Sequence, residues 1–499
     1  MTAALLLCLA SFAAESARAQ SLDVKITLAS IEPPRVRVEG RRAEGSTAWS
    51  FRNTYAGMLG LAARVENLVL LDEGGAEVAL TKRAPGEYES ARPASRFRYE
   101  VNLDPPTTQT NAAHVSWLTR ERGLLMLGDL LPLPARQASV KIELPAGWKV
   151  TSGHNVTAAL NYQIEDAEDV VFLVARDLRS VRGRAGSAFY ASAVTGAWAF
   201  DDGEVSEAVA ELLKEYEKMF GGAPRRRATV IVTPFPRAAA AQTWSAETRG
   251  ETVTIVTGAW PSKVAAVAQL GGVLSHELLH LWVPNGLALD GDYDWFYEGF
   301  TLYLAMRARM RQGQVSFQDY LNTLGRAFDA YAAARGSDEL SLVELSRRRW
   351  AGSSSLVYNK GMLVAFLYDL ALMRQTGGKS SLEDVYRALY QRHGEGSARA
   401  DGNASAASAL GGVGGMKEFV RMHVESPVAI NLAASLAPYG LRAEAFGVRT
   451  RVTVAGSPGK EQRELLKKLG YNEKSDATSR RLHEKLRKRT DKRENESSN

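Results

Sequence analysis

Five consecutive residues constrain this chain more than any others: His276-Glu277-Leu278-Leu279-His280, set in a run of good helix formers that begins near Pro261 and is stopped after Val283 by Pro284. On a helix, residues four apart share one face about one turn from each other, so both imidazoles can reach a single tetrahedral metal ion. Glu277 is rotated from His276 by about 100°, beside the ligands, where a carboxylate can take a proton from metal-bound water. Such a site needs a third protein ligand and an open fourth position. Glu298 is the candidate, 18 positions after His280 within Trp295-Phe296-Tyr297-Glu298-Gly299-Phe300-Thr301. It falls in the first turn of a further predicted helix, with Asp294 as expected N-cap and an end near Arg311. The donor set, two imidazoles and a carboxylate with no thiolate, fits one zinc ion per chain.

The rest of the chain frames that helix pair. From about 22 to 170 the pattern is strand-like, as in Val65–Leu70, Ser139–Leu144 and Asp169–Val174, with Pro and Gly clusters between runs, and implies an antiparallel, sandwich-like domain. Helix and strand then mix: Glu204–Phe220 reads as an amphipathic helix ended by Gly221-Gly222, and Ala228–Val232 and Thr252–Val256 as strands. Beyond 260 the chain is mostly helical, with further helices expected at 314–334, 359–375, 381–392 and 416–424. Residues 395–415, rich in Gly, Ala and Ser, read as a mobile connector, and the Lys/Arg/Glu-rich stretch after about 457 as a tail without a core.

At 499 residues there is room for roughly two to four domains. No unbroken run of about 18 apolar residues offers a membrane span, so stable membrane insertion is not expected. The net charge is +6, but residues 460–496 alone carry 13 Lys/Arg against 8 Asp/Glu, so the remainder is nearly neutral and gives no reason to expect nucleic-acid binding. Residues 3–14 are apolar, and Ala17-Arg18-Ala19 before Gln20 is a small-x-small cleavage pattern, although no basic residue precedes Arg18. The expected leader is residues 1–19, and the expected destination periplasmic or extracellular. The one cysteine, Cys8, falls inside this leader, which leaves the mature chain without disulfides or thiolate ligands. His114, His154, His393, His423 and His483 lack ligand spacing to one another and read as structural or exposed.

The run His276–Thr301, followed by Tyr358-Asn359-Lys360-Gly361-Met362 and Ser381-Leu382-Glu383-Asp384-Val385, resembles the glycyl aminopeptidase family of gluzincin metallopeptidases, and more distantly the alanyl aminopeptidases. The resemblance spans about 22–445 and implies an α+β multidomain chain. A signal peptide (1–19) would be followed by a β-sandwich-like N-terminal domain (20–172), a thermolysin-like catalytic domain (173–335), a helical C-terminal domain (336–445) and a charged, partly disordered tail (446–499). It implies His276, His280 and Glu298 as zinc ligands, Glu277 as general base, and Tyr358 as hydrogen-bond donor to the oxyanion. It also aligns Trp244-Ser245-Ala246-Glu247-Thr248-Arg249 with the family's Gly-Gly-Leu-Glu-His-Arg-like segment. Glu247 would bind the substrate's α-ammonium, while Trp244, Ser245 and Thr248 depart from the family's glycines and histidine.

The implied activity is hydrolysis of small, Gly/Ala-like N-terminal residues from peptides or proteins. Two alternatives stay open: a zinc endopeptidase, if Glu247 does not capture an amine, and a periplasmic binding or assembly protein that keeps a degenerate peptidase fold.

Overall fold

Alternation sets the first unit. In the strand Leu22–Ile31, Leu22, Val24, Ile26 and Leu28 are buried while the residues between them face outward, so one side of the sheet carries the core. The computed structural model describes residues 22–154, 160–223, 227–334, 336 and 338–472. The expected leader with Cys8, the end of the charged tail and His483 lie outside these described residues.

Two compact units emerge, one made of the residues up to Pro105 with Val115–Arg176, the other of Pro106–His114 with the chain from Asp177 onward. The first is all-β in its sheets. An eight-stranded sheet is antiparallel except where Leu22–Ile31 runs parallel to Arg136–Glu143. A four-stranded sheet contains Val171–Ala175, buried at every residue. Leu22, Val140 and Phe97 from the larger sheet share one core with Leu125, Phe172 and Val174 from the smaller, a two-layer arrangement that closes both apolar faces.

The second unit is mixed α/β. Its five-stranded sheet has a parallel centre, Ala188–Val194, Arg227–Pro234 and Thr252–Thr257, with antiparallel edges Arg179–Ala185 and Trp244–Arg249. The helix Asp202–Phe220 crosses between the first two parallel strands. It starts on a capping box of Asp201 and Glu204 and ends at Gly221, whose φ of 82° is the left-handed C-cap that glycine accepts without strain. The stretches expected as separate catalytic and helical domains share one core here. The reason is the helix Ser354–Gln375: Val357, Leu363, Phe366 and Leu370 point to different sides and all are buried, so this helix serves as the unit's centre and not as the edge of another domain.

Two helices, Lys263–Leu281 and Ser354–Gln375, are long and apolar enough by composition to cross a membrane, although neither is an unbroken apolar run. Both are mostly buried within this unit, as core helices are.

Other stretches also depart from expectation. The motif helix is α-helical over Lys263–Glu277, capped by Ser262, and continues as a tighter turn, Leu279–Leu281. The motif thus lies at the helix's last turn, across the change from α-helix to the tighter turn, where the sequence implies one helix from near Pro261 to Val283. Asp294 makes no N-cap bond; a wide π-helical turn, Trp295–Phe300, precedes the helix Thr301–Arg311. The supposed connector contains the helix Gly402–Gly412, capped by Asp401, with Ala406 and Leu410 buried. A hairpin, Leu441–Phe446 and Arg449–Val454, spans the expected boundary between helical domain and tail, and the supposed tail goes on to a helix, Lys460–Leu469, whose Leu466 and Leu469 reach the core.

Candidate metal centre

Three ligand atoms converge between the end of the motif helix and the π-turn. His276 Nε2 lies 3.0 Å from His280 Nε2 and 3.0 Å from Glu298 Oε2, and His280 Nε2 lies 3.4 Å from the same carboxylate oxygen. All three residues are buried, and among the described residues they form the one cluster of three or more His, Cys, Asp or Glu able to hold a metal ion. The donor set fits zinc. A triangle with these edges has its equidistant point about 1.8 Å from each atom, close to the about 2.0–2.1 Å of zinc bonds to nitrogen and oxygen, so these three residues would hold such an ion. His280 Nδ1 is 2.9 Å from the Val283 carbonyl; a proton donated there fixes the tautomer and leaves Nε2 free as a ligand.

Packing explains how Glu298 gets there. A Cβ at Gly299 would stand 2.5 Å from the Gly361 Cα and 2.7 Å from the Val357 carbonyl oxygen, and one at Gly361 would stand 2.9 Å from the Gly299 Cα. The glycines of the Glu-Gly-Phe and Tyr-Asn-Lys-Gly segments therefore face each other, and their missing side chains let the π-turn and the helix Ser354–Gln375 touch backbone to backbone. That contact brings Tyr358, one turn before Gly361, beside the cluster. Its ring centroid is 6.2 Å from that of His276.

Arginine supplies the counter-charge. Arg349 forms an ion pair with Glu298 Oε1 at 2.9 Å and donates to the Tyr358 hydroxyl at 2.8 Å and to Asp294 at 2.5 Å. Burial disfavours the charged form of Glu298, yet the two histidines and Arg349 outweigh it and hold the carboxyl well below its usual range. Burial, followed by the Glu298 charge, pushes the Tyr358 phenol up, so it stays protonated and able to donate. Glu277, also buried, accepts from the Thr248 hydroxyl at 2.8 Å, and its backbone carbonyl lies 2.9 Å from the same hydroxyl.

Glu247 stands apart from this cluster. It is adjacent to Thr248 in the regular edge strand Trp244–Arg249, and adjacent strand residues point to opposite faces. Arg249 Nε donates to its Oε2 at 2.7 Å, and His114 Nδ1 is 3.4 Å from its Oε1. Arg249 also donates to the His114 carbonyl at 2.6 Å. His114, read from sequence as isolated, thus joins a polar group around Glu247. Arg349 went unread in the sequence because Arg347-Arg348-Arg349 looks like a solvated basic run; only its setting before Trp350 set it apart.

The family model described as M61 glycyl aminopeptidase matches residues 288–364, a span that holds Glu298 and Tyr358 but not the His276–His280 segment. The resemblance read from the motifs holds. No curated protein matches the chain. Among solved structures, an aminopeptidase N family protein from Idiomarina loihiensis is similar at a TM-score of 0.74, with 16% identity over 85% of this chain and 79% of that one. An M1 zinc metallopeptidase from Deinococcus radiodurans, a mutant bound to a Tyr-Ser-Ala substrate, is similar at 0.53, with 15% identity over 83% of this chain and 95% of that one. At such identities the likeness is one of fold. Taken with the family match, it makes the chain a hydrolase of the peptidase kind.

Proposed function

We propose that this protein is an exported, zinc-dependent aminopeptidase that removes small, Gly/Ala-like N-terminal residues from peptides. The observation that carries the reading is the convergence of His276 Nε2, His280 Nε2 and Glu298 Oε2 with Glu277 and Tyr358 beside them. His276, His280 and Glu298 would hold one zinc per chain, which when bound supplies a Lewis acid for the scissile carbonyl and for the attacking water.

The chain's own groups do the rest. Glu277 takes the water's proton and returns it to the leaving amine, and Thr248 keeps its carboxylate in place. Tyr358 keeps its proton and donates a hydrogen bond to the carbonyl oxygen as that atom gains charge. Glu247 as receptor of the substrate's α-ammonium rests on the motif resemblance alone, since its side chain leaves the edge strand on the face opposite Thr248. Export rests on the apolar run 3–14 and the Ala17-Arg18-Ala19 pattern; a mature N-terminus at Gln20, read by mass spectrometry of the secreted chain, tests it.

One observation favours a second reading. One oxygen of Glu247 is already held by Arg249 and the other lies 3.4 Å from the His114 imidazole, and a carboxylate so placed is a poorer amine receptor, which suits an endopeptidase. A peptide library, half with free and half with acetylated N-termini, incubated with the protein and with its Glu277→Gln variant, separates the two. Loss of single residues from free ends only is the expected result. Internal cuts in acetylated peptides would establish the endopeptidase. Glu277→Gln should keep zinc and lose about 10²–10⁴-fold in kcat; full activity in this variant would overturn the peptidase site altogether.

A further inference from the structure

Arg349 lies in the short turn Arg349–Ala351, between the helices Leu342–Arg347 and Ser354–Gln375, and both terminal nitrogens of its guanidinium pair inside the protein while Nε is buried without a hydrogen-bond partner among the described residues. Nη1 donates to Asp294, the residue before the π-turn. Nη2 carries two hydrogens and meets two acceptors, Glu298 Oε1 at 2.9 Å and the Tyr358 hydroxyl oxygen at 2.8 Å. The Trp350 ring covers the guanidinium, with its centroid 4.6 Å from the central carbon, and Nε is buried. No outward-facing donor pair is left to take a substrate carboxylate, so a role in binding the substrate's charge does not fit. The planar fork joins the third metal-site residue, the oxyanion tyrosine and the π-turn that carries the former.

We infer that Arg349 is a positioning residue which sets two things at once: the direction of the Tyr358 hydroxyl proton and the one-oxygen posture of Glu298. A phenol O–H lies near the ring plane and has two preferred directions. With Nη2–H filling one acceptor site of the oxygen, the proton turns away from the guanidinium; Glu298 accepts it in the free protein, and a substrate oxygen would take it over. Glu298 is divided in the same way. Oε1 is held by Arg349 and Oε2 is left to the histidines, so the carboxylate offers the metal a single oxygen. This inference rests on the zinc-peptidase reading of the site for its Tyr358 part, and on the His–His–Glu cluster alone for its Glu298 part.

The test uses the full-length protein, with zinc affinity measured by chelator competition and kcat and KM measured at saturating zinc on an unblocked peptide. Arg349→Met should weaken zinc binding by about 10–100-fold and lower kcat by a similar factor with KM little changed, the size typical of losing a group that orients ligands. Arg349→Lys should recover zinc affinity in part, because an ammonium can still face Glu298, but should not recover kcat, because one point charge cannot hold all three acceptors in a plane. In a Tyr358→Phe background, Arg349→Met should cost little further kcat, as expected for groups that act through one another.

Wild-type zinc affinity and kcat in Arg349→Met would overturn the inference. Additive losses in the double variant would overturn its Tyr358 part. Should the wild-type protein hydrolyse no peptide, the functional reading fails, while the zinc affinity of Arg349→Met still decides the Glu298 part. If Arg349→Met alone does not fold, with Asp294 left buried beside no guanidinium, Asp294→Asn/Arg349→Met removes that charge and the same measurements are made on it.

Discussion

Glu298 and Glu247 each stand beside an arginine in the same unit, and the two corners use that pairing differently. Glu298 gives one oxygen to Arg349 and turns the other to a pair of imidazole nitrogens fixed on one helix end. Glu247 gives one oxygen to Arg249 and turns the other to a single imidazole, His114, whose own carbonyl accepts from the same arginine. The first arrangement leaves three ligand atoms facing a common point. The second closes on itself. An arginine neighbour does not by itself mark a metal-site carboxylate, since half-buried Glu247 and buried Glu298 both have one; what faces the second oxygen decides.

Replacing each carboxylate by alanine is the strongest way to break this comparison. Glu298→Ala should abolish zinc binding and lower kcat/KM by on the order of 10³-fold or more, in line with the several kcal/mol that a bound metal contributes. Glu247→Ala should leave zinc content as in the wild type and raise KM for free-ended peptides by about 10–100-fold, the size of one hydrogen bond to a charged group. Blocked peptides should be unaffected. Loss of zinc from Glu247→Ala, measured by elemental analysis of the purified protein, would erase the distinction between the corners.

A smaller effect sharpens how the metal corner is built. Gly299→Ala puts a methyl group into the Gly361 backbone, where nothing flexible can give way, so the π-turn and the Tyr358 helix must separate. Destabilisation by about 1–3 kcal/mol in urea unfolding is expected, the usual cost of overpacking, with kcat falling as Tyr358 leaves its place. Unchanged stability would mean that the glycine contact does not position the site.

These cases also show what the residue order discloses and what it withholds. His276, Glu277 and His280 are legible because an i, i+4 spacing is a local property, true of any helix that carries it. Glu298 is legible as the carboxylate on the next helix, but the π-turn that carries it is not. Trp295-Phe296-Tyr297 reads as ordinary helix, and the wide turn accompanies the Gly299–Gly361 approach, a contact with a distant part of the chain. Arg349 reaches its partner Asp294 across 55 positions, so no spacing rule exposes it. Tyr358 came through motif resemblance alone. In the fold, the β-rich run Val65–Leu71 and the alternating strand Arg136–Glu143 were readable from their pattern. The helices Gly402–Gly412 and Lys460–Leu469 were not, because each buries only two side chains larger than glycine's in a stretch whose overall composition is that of a linker or a tail.

Lys360 gives the comparison its reverse and its smallest test: a buried cation whose ammonium donates to a carbonyl, that of Leu340, at 2.8 Å. Asp338 and Glu344 favour its charge from a distance, but burial prevails and lowers the amine to about 8. Below that pH the lysine is charged both folded and unfolded, and the cost of burying the charge is fully present. Between about 8 and its ordinary value of 10.5 the unfolded chain binds more protons than the folded one, so stability rises with pH across this window. Lys360→Met has no charge to bury. Its melting temperature relative to the wild type should therefore be highest near pH 7 and should fall as pH approaches 10, with any constant offset reflecting the lost bond to Leu340. A difference that stays flat from pH 7 to 10 would mean that the site stabilises the ammonium as well as water does, and that a carbonyl can stand in for the carboxylate that each arginine in the two corners was given.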